Sequence, residues 1–146
     1  MATEQSKALM DAISDVLETM CFSCPVPLGV TDRSVKADEF LIAGVGLKGS
    51  RNGGLGMAIS RALAYELTAS FLGRREMALT PEEMQDAFME VTSMVAWAFL
   101  QRIDLTSSVL VSDPRILDRG EAQGVPPLVV MDVDGHRVLG WIFWGQ

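Results

Sequence analysis

The stretch from Thr80 to Arg102, "TPEEMQDAFMEVTSMVAWAFLQR", limits what this chain can fold into more than any other. Thr80 and Glu83 form a T-x-x-E capping box, and Pro81 suits the first helical position. The run behind them keeps a helical period, which predicts one long helix ending near Arg102. At about 100° per residue from Met84, the side chains of Met84, Phe88, Val91, Val95 and Ala98 fall within about 40° of one another's mean direction. That face is predicted to meet the core. Asp86, Glu90, Ser93 and Trp97 fall at roughly 180° to 240°, on the opposite side. They make an outward stripe at i, i+4, i+7 and i+11, flanked by Met89 and Leu100. Large apolar side chains set beside a few polar groups suggest a surface that meets another protein.

A helix of this kind needs a layer to lie on, and the rest of the chain supplies one. Between Gln5 and Met20, the residues Leu9, Ala12, Ile13, Val16, Leu17 and Met20 recur at helical spacing. Pro25 and Pro27 forbid continuation of that helix. "FLIAGVGLKGSRNGGLGMAIS" reads as two strands joined at Asn52-Gly53, a pair that favours a tight positive-φ turn. A second helix follows over about Ser60 to Leu72, with Gly73 beyond its end. After Arg102 come "SSVLVS", "PPLVVMDV" and "HRVLGWIFW", the last two joined at Asp134-Gly135. Trp141 and Trp144 are expected to pack on both faces of the last strand. The order predicts an α+β fold, an antiparallel sheet with helices on one face. With 146 residues and no linker or low-complexity segment, a single domain over 1–146 is expected.

Composition excludes several functions. Apolar residues make up 49% and charged residues 21%, as in a globular chain. The net charge of -7 and pI near 4.6 argue against nucleic acid and anionic membrane as partners. No apolar run approaches membrane-spanning length. The N-terminal residues carry no signal-peptide pattern, so the chain reads as cytoplasmic. Cys21 and Cys24 form a C-x-x-C, but they follow a helix and precede prolines, and His136 is the only histidine. Neither the thioredoxin context nor a zinc ligand set is present, and the pair reads as plain thiols. No metal site is expected. Gly44, Gly46 and Gly49 match G-x-G-x-x-G, yet turn residues follow where a nucleotide site needs a helix. They read as part of a glycine-rich hairpin. His136 is expected to be exposed and inert.

The pattern Asp86-x3-Glu90-x2-Ser93-x3-Trp97 resembles the D-x3-E-x2-N-x3-G signature of the CheC/CheX family of chemotaxis phosphatases. "VLETMCF" at the end of the first helix and the glycine hairpin running into "AISRALAYELTASFLG" resemble the same family. The resemblance covers roughly Leu9 to Phe143. It implies a pseudo-duplicated α+β fold, homodimers paired through their sheets, and action on phosphorylated CheY-like receiver domains. In the family, the Glu engages a lysine of the receiver and the Asn orients water for attack on the aspartyl phosphate. Carried over, Glu90 is the docking residue and Ser93 the water-orienting one, with Asp86, Met89, Trp97 and Leu100 as partner contacts. No cofactor of its own is implied, because the receiver supplies Mg²⁺. The first helix echoes the motif with Asp11, Asp15 and Glu18 at the same offsets.

Two departures lie at the chemistry itself. Ser93 replaces the family's Asn and has a shorter reach than a carboxamide. Trp97 replaces its Gly, one turn further along the stripe. Two readings therefore stand: a phosphatase impaired by these replacements, or a non-catalytic binding module or homodimeric scaffold using the same helix face.

Overall fold

The computed structural model describes residues 2–20, 26–27, 40–75, 78–105, 108–117, 127–133 and 135–145. Helix α1 spans Ala2–Met20, with strand β1 at Val26–Pro27. Strands β2 (Phe40–Gly49) and β3 (Gly53–Ser60) lead into helices α2 (Arg61–Leu72) and α3 (Pro81–Arg102). Strands β4 (Val109–Val111), β5 (Arg115–Ile116), β6 (Val129–Val133) and β7 (His136–Trp144) complete the chain. The strands form one antiparallel sheet in the order β1-β6-β7-β3-β2-β4, with β5 also on β2. The two short strands β1 and β5 are additions to the sequence expectation.

Helix ends follow local chemistry. Ser60 caps α2 by accepting from the Leu63 N–H, and Thr80 caps α3 with the reciprocal Glu83 contact in place. Both helices stop in the same way. Gly73 after α2 and Asp104 after α3 adopt left-handed backbone. The next amide then reaches back, Arg74 to the Ala69 carbonyl and Leu105 to the Leu100 carbonyl. This is the Schellman pattern, with Asp104 standing where glycine is usual.

The strand alternation divides the apolar residues between two faces. Leu41, Ala43, Val45, Leu47, Leu55, Met57, Ile59, Met131 and Val138 face the helices and join Leu9, Ile13, Leu17, Phe88, Val95 and Phe99 in the main core. Phe40, Ile42, Ala58, Val130, Leu139 and Trp141 form a second cluster, with Leu117 packed against it. Trp141 lies in this second cluster while Trp144 packs against the main core, so the last strand does use both faces.

Two expectations need correction. The β2–β3 turn is not a two-residue Asn52-Gly53 turn. Gly53 is already in β3, Ser50–Asn52 form the loop, and the Gly49 N–H donates to Asn52 Oδ1 at 3.1 Å. Positive φ falls on Gly49 instead, where an added Cβ would run into the Ser108 carbonyl. His136 is not an exposed bystander. The register that sets Ile59 opposite Val138 brings the start of β7 to the N-terminus of α2. There His136 Nδ1 shares a 3.0 Å hydrogen bond with Ser60 Oγ, and Nε2 lies 3.8 Å from Glu66. Cys21 and Cys24 lie outside the described residues.

Candidate functional site: the outer stripe of α3

Helix α3 lies on the sheet with α1 and α2 against it, and its buried arc is correspondingly wide. Met84, Ala87, Phe88, Val91, Thr92, Val95, Ala96, Phe99 and Leu100 are all buried. What remains outside is a narrow strip. Asp86, Glu90 and Trp97 are exposed and Ser93 is half-buried. From Asp86 to Trp97 the strip extends about 16 Å along the helix axis.

The chemistry of the strip is its lack of internal partners. A hydroxyl within a helix commonly bonds back to the carbonyl four residues earlier. Thr68 and Thr92 do so, donating to Ala64 and Phe88 at 2.6 and 2.8 Å. Ser93, next to Thr92, makes no such bond among the described residues. Asp86 and Glu90 have no ion-pair partner there either. A carboxylate and a hydroxyl one turn apart, both unengaged and both facing out, can bind a cation and orient a small polar molecule beside it.

The echo on α1 is arranged differently. Asp11 pairs with Lys7 at 3.5 Å, and Asp15 pairs with the Arg102 guanidinium at the end of α3. Arg102 also donates to the Ala98 carbonyl, within the last turn of α3. Thus the acid on α1 that corresponds to Glu90 is engaged in joining two helices, whereas Glu90 is not. Sequence spacing could not separate them, because the ion pair spans 87 positions of chain between Asp15 and Arg102.

Leu100 must be removed from the docking face. It is 0% exposed and belongs to the main core. The Schellman turn folds Leu105 back so that its amide meets the Leu100 carbonyl. Met89 is intermediate: half-buried and packed against the core, it borders the strip without projecting from it.

The opposite side of the sheet holds another feature that periodicity did not reveal. A groove of about 530 Å³ runs over Gly44, Gly46 and Gly54, between Trp141 and Phe143 on one side and Ser112 and Leu117 on the other. Phe143 beside it is 51% exposed, and Leu110 on the same outer face is 70% exposed. The signal for it was the glycine alternation in β2 and β3, which becomes informative only once β7 is known to pair with β3. Among the described residues, no group of three or more His, Cys, Asp or Glu is placed to hold a metal ion. No helix is long and apolar enough to cross a membrane.

Comparison with known proteins agrees with the fold. No curated protein matches the chain. Chemotaxis protein CheX from Desulfovibrio desulfuricans has a similar structure, with 18% identity, 97% of this chain and 99% of that chain covered, and a TM-score of 0.73. CheX from Vibrio vulnificus gives 18% identity, 99% of each chain and a TM-score of 0.75. A CheX-CheY-BeF3-Mg²⁺ complex from Borrelia burgdorferi gives 16% identity, 96% and 97% coverage and a TM-score of 0.73. At these identities the likeness speaks for the fold. The family model for chemotaxis phosphatase CheX matches residues 41–130, a span that takes in β2, β3, α2 and the whole of α3. By that match, this chain belongs to the CheX family.

Proposed function

We propose that this chain docks on the phosphorylated receiver domain of a CheY-like protein through the outer strip of α3, and that it promotes aspartyl-phosphate hydrolysis slowly. The observation that carries this reading is the pair Glu90 and Ser93, which lie on the outer strip and have no hydrogen-bond or ion-pair partner among the described residues. The family membership supports a receiver as the target, and the Borrelia burgdorferi relative is a complex of CheX with CheY. In this reading Glu90 engages a lysine of the receiver. Ser93 hydrogen-bonds the water that attacks phosphorus, the bond to the aspartyl oxygen breaks, and phosphate leaves. The receiver supplies Mg²⁺ and charge stabilisation, so this chain contributes orientation only.

Slow turnover follows from reach. A serine hydroxyl stops short of the place a carboxamide would occupy, and a displacement of about 1 Å costs on the order of a hundredfold in rate. Decay of the acyl phosphate in a receiver, followed with and without this chain, tests the reading. Expected are measurable binding, weak acceleration, loss of both on Glu90→Ala, and faster decay with Ser93→Asn. Brisk acceleration by the wild-type chain that disappears in Ser93→Ala would contradict the slow-enzyme reading. Failure to bind any receiver would contradict docking itself.

The homodimer belongs to the other side of the molecule in this proposal. Leu110 and Phe143 are large apolar side chains exposed on the outer sheet face, where a second copy covers them and leaves α3 free. Sedimentation of Leu110→Glu with Phe143→Glu tests it: the pair of substitutions is expected to give monomers, and an unchanged dimer would place the contact elsewhere.

A further inference from the structure

The three tryptophans of this chain differ sharply in what surrounds them. Trp141 is 3% exposed, and its indole covers Gly56. Trp144 carries the Arg51 guanidinium over its ring at 4.1 Å and donates from Nε1 to Gln5 at 3.3 Å. Trp97 has neither kind of contact. It is 43% exposed and makes no hydrogen bond or ring contact among the described residues. An indole is the largest apolar side chain and carries one N–H donor, so an unpartnered one on a functional strip is an anchor awaiting a recess.

The charge around it restricts the partner. Helices α1 and α3 carry eight acids: Glu4, Asp11, Asp15, Glu18, Glu82, Glu83, Asp86 and Glu90. Their two bases, Lys7 and Arg102, are both tied to acids of the same layer. Helices α1 and α3 together therefore carry a net charge of -6, eight acids less two bases, and on α3 the acids lie to the N-terminal side of Trp97, toward Glu90.

Resting on the receiver-docking reading above, we infer that Trp97 is the specificity-determining contact. It selects a receiver whose face carries an apolar recess with a hydrogen-bond acceptor at its floor, with cationic side chains on the side that meets Glu90. The recess lies about 6 Å along α3 from the point opposite Ser93, four residues at the helical rise. Glu90 supplies attraction shared with many receivers, whereas the indole admits only a receiver with room for it. A receiver flat at that point meets the ring before Ser93 can approach its phosphate.

Calorimetric titration of acetyl-phosphate-treated receiver domains into the full chain tests this, with Trp97→Ala, Trp97→Phe and Glu90→Gln alongside. For the best-binding receiver, Trp97→Ala is expected to weaken binding by roughly thirtyfold, the size of an interface hot spot, with partial recovery in Trp97→Phe. With 5-fluorotryptophan incorporated, the resonance of Trp97 is expected to shift on binding while those of Trp141 and Trp144 stay in place. Binding that is unchanged or tightened by Trp97→Ala overturns the inference and leaves receiver docking intact. A wild-type chain that binds no receiver, treated or untreated, overturns both.

Discussion

The indole of Trp141 lies so close over Gly56 that a Cβ on that glycine would stand 2.3 Å from the ring carbon Cε2. The two residues face each other across the β3–β7 ladder, so the contact is fixed by register. Gly56→Ala is expected to cost about 1–3 kcal/mol, the range for overpacking a filled site. Gly54→Ala makes a similar approach to Phe143, at 2.7 Å from Cζ, but that ring is half in solvent and can swing outward. Its cost is expected to be smaller. Urea unfolding of both variants decides the matter, and equal losses would show that ring mobility is not what separates them.

Leu100 and Trp97 lie less than one turn apart on α3 and should behave oppositely. Leu100→Ala empties a fully buried position and is expected to lose about 2–5 kcal/mol. Trp97→Ala removes a partly exposed ring with no hydrogen bond or ring contact among the described residues and should cost far less, within about 0.5 kcal/mol of the wild type. Chemical denaturation beside receiver titration separates a stability effect from a docking effect.

The capping box of α3 makes stability depend on acid. The Thr80 backbone amide, and after it the Arg74 guanidinium, hold the Glu83 carboxyl below the ordinary value of 4.5. A depressed folded-state value means that the unfolded chain takes up the proton first as the pH drops. The contribution is therefore complete above the ordinary value and is lost as pH falls through the depressed one. Glu83→Gln should be less stable than the wild type at about pH 7, and the difference should shrink toward about pH 3. A gap that is constant across this range would mean that the ionised carboxylate adds nothing over the neutral amide.

Asp104 ends α3 in a left-handed conformation with φ of 60°, where Gly73 ends α2 at φ of 65°. Left-handed backbone costs an L-residue roughly 1 kcal/mol, somewhat less for aspartate. Asp104→Gly is expected to raise the thermal midpoint slightly, and Asp104→Val to lower it clearly. A drop with glycine would show that the aspartate side chain contributes more to the turn than its backbone strain removes.

Much of the architecture was legible because it is written in short-range patterns. The Thr80 box, the Gly73 terminator, the Asp134-Gly135 hairpin signal and the 3.6-residue period of α1 and α3 each act within a few residues. The outward strip was legible for the same reason, apart from Leu100. That residue sits at the margin of the helical wheel, where burial depends on what neighbours approach, and the wheel has no neighbours. His136 was misjudged on the same ground, and the role of Asp15 could not be read, since their partners Ser60 and Arg102 lie far away in the chain. The fourfold glycine alternation in β2 and β3 was visible as composition. Its meaning, a seat for Trp141 and Phe143 on Gly56 and Gly54 and for Leu117 and Ser112 on Gly44 and Gly46, required the strand order.

The free side chains of α3 have a consequence for how such a chain changes over time. Asp86, Glu90, Ser93 and Trp97 make no hydrogen bond or ion pair among the described residues, so replacing any of them is expected to change the folded state little. On the proposed docking reading, the letters that a target reads can be rewritten one by one with no intermediate that fails to fold. A helix gripped on its inner arc and idle on its outer one is thereby a stable shaft with an interchangeable blade.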